Sequence, residues 1–120
     1  MAYILVIDDQ ETFLDFLART LKIMGYRVKT ARGGKEAIEI LKVSEDFDLV
    51  ITDIFMSDKD GIAVAKHIRS SRKADTPIVG ITGDSDMANH TLFNAILIKP
   101  FKVQALNAVI QSLLENPSRM

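Results

Sequence analysis

Five short apolar runs divide the chain: "YILVI" from Tyr3, "YRVKTA" from Tyr26, "DLVIT" from Asp48, "PIVGIT" from Pro77 and "AILIK" from Ala95. Runs this short and continuous suit strands buried on both faces, and stretches with helical spacing lie between them. That alternation predicts an α/β fold, a doubly wound parallel sheet covered by helices on both sides.

The helical stretches are legible from their periodicity. Phe13, Phe16, Leu17, Thr20, Leu21 and Met24 recur on one face, and Gly25 follows as a natural stop. Ala37, Ile38 and Leu41 form a second apolar face with Glu36 and Glu39 outward, and Ile62, Ala65 and Ile68 a third with Lys66 and Arg69 outward. The last helix carries Val103, Leu106, Val109, Ile110 and Leu113 and is expected to fray in "ENPSRM", where Pro117 cannot continue it. Between the fourth and fifth strands, "GDSDMANHTLFN" is short and rich in poor helix formers. One or two loose turns near Asp86 to Phe93 are expected there.

In an open sheet of this kind ligands sit outside the carboxyl ends of the strands. The first strand ends on Asp8 and Asp9, the third on Asp53, the fourth on Thr82 and the fifth on Lys99. Three carboxylates brought together repel one another unless a cation intervenes, and Mg2+ is held by such oxygens, often with a phosphate oxygen beside them. A lysine and a hydroxyl suit the remaining oxygens of a phosphoryl group. Neither a G-x-G-x-x-G nor a Walker-type loop accompanies them. The phosphoryl group is therefore expected to arrive on another molecule, and a carboxylate can accept it as an aspartyl phosphate.

Charge and composition exclude other classes. Fifteen Lys and Arg against 16 Asp and Glu give a net charge of -1, so no basic field points to nucleic acid or an acidic membrane surface. The chain has no cysteine, which removes disulfides and thiol chemistry. The first apolar run is broken by Asp8 too early for a signal segment or a membrane span. With 120 residues, one domain in a cytoplasmic, soluble protein is the expectation.

Taken together, "VIDD", "ITDIFM" followed by "DG", "ITG" and "KPF", in that order and at strand ends, resemble the receiver domain of two-component response regulators. The resemblance spans nearly the whole chain, a receiver over residues 1–116 with a tail over 117–120. It implies the flavodoxin-like strand order 2-1-3-4-5, an order that the resemblance carries and the spacing does not. It implies Asp53 as phosphoacceptor, Asp8 and Asp9 as direct or water-mediated holders of Mg2+, the backbone carbonyl of Phe55 as a further ligand, and Thr82 and Lys99 on the phosphoryl oxygens. A cis Lys99–Pro100 bond is implied as well. The function so implied is a signalling switch and not a metabolic enzyme, phosphorylated by a histidine kinase or phosphotransfer protein and acting on a downstream protein or output domain. Homodimer formation through the last helix is common in that family.

Three positions depart from the family pattern. Ile96 replaces the usual Tyr or Phe, the interval from Thr82 to Lys99 is several residues short, and Ser57 stands where a proline often follows Met. The last change is expected to loosen its loop. With the aromatic switch missing, phosphorylation is expected to act by ordering the loop from Gly83 to Asn94 through Thr82. Phe55 is expected to shield the aspartyl phosphate from water.

Two other functions compete: a pseudo-receiver that binds partners without phosphorylation, and a dehalogenase-like phosphohydrolase, which the adjacent Asp8 and Asp9 disfavour because that class resembles D-x-D. Single residues also have plainer readings. Asp8 with Glu11 fits a capping box, His67 and His90 fit surface positions, and Gly61 fits the turn before the third helix.

Overall fold

In the computed structural model, which describes residues 1–44 and 46–115, the first strand, β1 (Tyr3–Ile7), sends Leu5 and Ile7 to one face and Ile4 and Val6 to the other. All four are buried, as a strand at the centre of a two-sided sheet requires. The remaining elements are α1 (Glu11–Ile23), β2 (Arg27–Ala31), α2 (Gly34–Val43), β3 (Leu49–Asp53), α3 (Gly61–Arg69), β4 (Ile78–Thr82), β5 (Ala95–Ile98) and α4 (Val103–Glu115). The strands form one parallel sheet in the order β2-β1-β3-β4-β5, the arrangement expected.

Two apolar layers flank the sheet. Ala37 and Leu41 of α2 and Val64, Ala65 and Ile68 of α3 pack on Leu5, Ile7, Val50 and Ile78. Leu14, Leu17 and Leu21 of α1 and Leu106 and Ile110 of α4 pack on Ile4, Val6, Leu49, Ile51, Val79 and Ile81. Helix α1 stops as the sequence suggests: Gly25 has φ +98, its N–H donates to Lys22 O, and Tyr26 N–H donates to Leu21 O.

Several details differ from the sequence expectations. Phe16 is 49% exposed, so it lies on the margin of the α1 apolar face and not within it. β5 is half-buried along its length, because it is an edge strand and the described chain between β4 and β5 holds no α-helix to cover it. That connection has only a 3-10 turn, Ser85–Met87, followed by turns, close to the loose structure expected around Asp86 to Phe93.

Arg69, expected to point outward, does the work of closing this region. Its guanidinium donates to the carbonyls of Ala74 (2.8 Å), Thr76 (2.7 Å) and Leu92 (2.9 Å) and to Asn94 Oδ1 (2.8 Å). Asn94 Oδ1 also accepts from Ile78 N–H at 2.7 Å. One guanidinium thus ties the end of α3 to the segments that lead into β4 and β5. The fraying expected in "ENPSRM" falls mainly on residues 116–120, outside the described residues.

Candidate phosphoacceptor site

Strands β1 and β3 pair in parallel with Ile7 opposite Thr52, so Asp8 and Asp53 leave neighbouring strand ends side by side. Carboxylate oxygens of Asp8, Asp9 and Asp53 all lie within 4.8 Å of one another. β3 pairs with β4 so that Asp53 faces Ile81, which puts Thr82 at the next strand end. From β5, through Lys99 N–H donating to Thr82 O at 2.8 Å, Lys99 reaches the cluster: its Nζ is 3.9 Å from Asp53 Oδ1. The structure therefore brings together the carboxylates and the lysine, and sets Thr82 beside them.

Burial and like charge make this an electrostatically unfavourable place for three carboxylates. The Asp53 side chain is only 12% exposed, and desolvation first, then the Asp8 carboxylate, push its pKa from 3.8 up to about 6 against the pull of Lys99. Asp8 is also raised, mainly by desolvation, although the Gln10 amide and Lys99 oppose it. Asp8 is 1% exposed; its Oδ1 accepts from Gln10 N–H at 2.8 Å, while Oδ2 is buried without a hydrogen-bond partner among the described residues. A carboxylate oxygen buried in that way calls for a cation or a donor. The residues present therefore fit a hard divalent ion held by oxygens.

The capping box does not form. Gln10 is the N-cap of α1 without a side-chain cap bond, and Asp8 turns back on the Gln10 amide. Glu11 pairs instead with Arg32 at 3.3 Å on the surface.

The comparisons decide the family. A model of the response regulator receiver domain matches residues 4–111. The chain belongs to the response regulator receiver domain family. The probable transcriptional regulator ycf27 of Cyanophora paradoxa is 35% identical, over 96% of this chain and 50% of that protein. A second relative, the uncharacterized transcriptional regulatory protein YrkP of Bacillus subtilis, is 37% identical over 90% of this chain and 48% of its own length. The chain spans about half the length of the curated relatives it matches. Among solved structures, the response regulator TrrA of Thermotoga maritima, in complex with Mg2+ and BeF, superimposes with a TM-score of 0.86 at 31% identity, covering 94% of this chain and 99% of that one. A receiver domain protein from Clostridium thermocellum gives 0.88 at 29% identity, with 98% of each chain covered. The receiver fold, in a family of two-component response regulators, is thus established for this chain.

In this receiver the Lys99–Pro100 bond is cis, as the resemblance implied. Gly61 serves more than a turn: it opens α3, donates its N–H to Ile54 O, and a Cβ there would run into the Asp53 backbone carbonyl. His67 and His90 are half-buried, and His90 stands edge-on to Phe93 with centroids 5.5 Å apart. Neither belongs to a metal-binding cluster among the described residues.

Three neighbours of the site were not legible as such. Phe13, read as core, places its ring centroid 4.6 Å from Lys99 Nζ and so holds the ammonium over an aromatic face. Asp58 accepts from Gly34 N–H (3.1 Å) and Lys35 N–H (3.2 Å), capping α2 from the loop after Asp53. Ser57 does not leave that loop loose: its N–H and hydroxyl donate to Asp9 Oδ2 at 2.8 and 3.0 Å. None of these contacts has a local sequence signal, because each joins residues far apart in the chain.

Proposed function

We propose that this receiver accepts a phosphoryl group on Asp53 from a histidine kinase or phosphotransfer protein and passes the change to a downstream protein or output domain. The observation that carries the reading is the buried Asp8 Oδ2, without a hydrogen-bond partner among the described residues, in a cluster with Asp53, whose Oδ1 lies 3.9 Å from Lys99 Nζ. Asp8, Asp9, Asp53 and the Phe55 carbonyl would hold Mg2+, which when bound supplies positive charge to the carboxylates and the phosphoryl oxygens. An Asp53 oxygen attacks phosphorus as the bond to the donor imidazole breaks, and the bonding pair leaves with the imidazole, which takes up a proton. Lys99 steadies a phosphoryl oxygen as a point charge, and the Thr82 hydroxyl donates to another.

The read-out runs through Thr82. Its Oγ1 now accepts from Asp84 N–H at 3.1 Å, and Asp84 Oδ1 accepts from Asp86 N–H at 2.9 Å. Rotation of the Thr82 hydroxyl toward a phosphoryl oxygen pulls on the first of two linked turns in the loop from Gly83 to Asn94. That linkage supports an order-disorder switch in place of an aromatic one, since position 96 is Ile. The same altered face favours the second reading, a pseudo-receiver that binds partners regardless of phosphorylation. A cytoplasmic setting accords with both readings, and no described helix is long and apolar enough to cross a membrane.

Beryllofluoride with Mg2+, an acyl phosphate mimic, tests the proposal by fluorine NMR and amide exchange together. A bound resonance that needs both Mg2+ and Asp53, with added protection in residues 83–94, is expected. A bound resonance with unchanged protection in that loop would count against the switch, and no resonance would favour the pseudo-receiver.

A further inference from the structure

We infer that Ser57 is a positioning residue for the metal site, its amide and hydroxyl holding the Asp9 carboxylate within the three-carboxylate cluster before a cation arrives. This rests on the proposed Mg2+ site.

Asp9 is the exposed member of the cluster, and it follows the buried Asp8 directly. Repulsion from Asp8 and Asp53 should turn such a side chain toward water, where its charge is screened. It stays because two donors from one residue hold it: Ser57 N–H at 2.8 Å and Ser57 Oγ at 3.0 Å. Both fall on Oδ2, and Oδ1 takes neither. A donor pair on one oxygen leaves the other for a cation or its water, and it lowers the cost of gathering three negative groups.

The Ser57 backbone is itself anchored. One residue on, the Asp58 carboxylate is fixed on the Gly34 and Lys35 amides at the start of α2, and Gly61 N–H donates to Ile54 O at 2.7 Å. The loop from Ile54 to Gly61 is thus pinned at both ends, with Ser57 facing Asp9 between the pins. A residue without an amide hydrogen and without a hydroxyl would remove both contacts at once, and proline is that residue. The serine at this position is therefore a device for holding Asp9, where the sequence alone suggested only a looser loop.

Outer partners of metal ligands commonly matter by about 10- to 100-fold in metal affinity. The test is Mn2+ binding, followed by the electron paramagnetic signal of the free ion, in the wild type and in Ser57→Pro, Ser57→Ala and Ser57→Thr, with Mg2+ competition and melting temperatures alongside. Ser57→Pro is expected to weaken Mn2+ by about 10- to 100-fold, Ser57→Ala by less, and Ser57→Thr to bind as the wild type does. If Ser57→Pro does not fold, the Ala and Thr pair decides: equal affinity in the two, at equal melting temperature, overturns the inference. Binding in Ser57→Pro that is unchanged or tighter also overturns it, because the serine would then be neutral or a competitor of the cation. A wild type that binds no Mn2+ defeats the metal site itself, and this inference with it.

Discussion

Ionising Asp53 without a cation should cost the fold stability, and the size and pH range of that cost follow from its surroundings. Its pKa is raised from 3.8 to about 6, mainly because burial removes water and secondarily because Asp8 lies beside it. Below pH 4 the group is protonated in both folded and unfolded chains and contributes nothing. Between pH 4 and 6 the unfolded chain has lost its proton while the native one keeps it, so native stability falls as pH rises. Above pH 6 the full penalty is present, on the order of 3 kcal/mol. Asp53→Asn removes the charge while nearly preserving shape. Urea denaturation in EDTA, repeated from pH 4 to pH 8, should show the variant gaining on the wild type across pH 4 to 6 and then holding a plateau of about 2–3 kcal/mol. Excess Mg2+ should shrink the difference by stabilising only the wild type. A difference between the two proteins that does not change with pH would refute the reasoning, because a constant offset reports packing or hydrogen bonding and not ionisation.

Two further substitutions address the loop after Asp53 and the opposite end of the sheet. Phe55 is 53% exposed two residues beyond Asp53, and Phe55→Asn should speed loss of the phosphoryl group several-fold in a single-turnover decay measurement; an unchanged decay rate would remove the shielding role. Arg69→Met leaves three carbonyls and the Asn94 side chain without their donor. It should destabilise the domain by about 2–4 kcal/mol in urea melts, with amide exchange rising first in residues 74–94; uniform exchange across the sheet would show that Arg69 is no local clasp.

The strand ends were legible because a parallel sheet has few degrees of freedom once its apolar runs are found. Periodicity fixes each run as strand or helix, and the sheet then carries Asp8, Asp53, Thr82 and Lys99 to one edge. What stayed hidden depends on contacts between residues far apart in the chain. Asp9 and Ser57 are brought together by strand pairing, as are Asp58 and the start of α2, and neither pair has a sequence signature. Arg69 was misread for a related reason. A charged residue at the end of an amphipathic helix is normally solvated, but here the carbonyls of Ala74 and Thr76, between α3 and β4, and of Leu92, in the helix-free connection between β4 and β5, lie within reach of the guanidinium. The shortened connection was visible in the sequence; what replaced the missing helix was not. Likewise, the Asp8–Glu11 spacing fits a capping box, yet the strand end turns the Asp8 carboxylate onto the Gln10 amide and into the carboxylate cluster.

Phosphoryl transfer to Asp53 is the central claim, and intact-mass analysis after incubation with Mg2+ and a small acyl phosphate tests it most directly. One phosphoryl adduct is expected on the wild type, absent from Asp53→Asn and from the metal-free sample. No adduct under conditions that label an ordinary receiver, or an adduct that persists in Asp53→Asn, would contradict it.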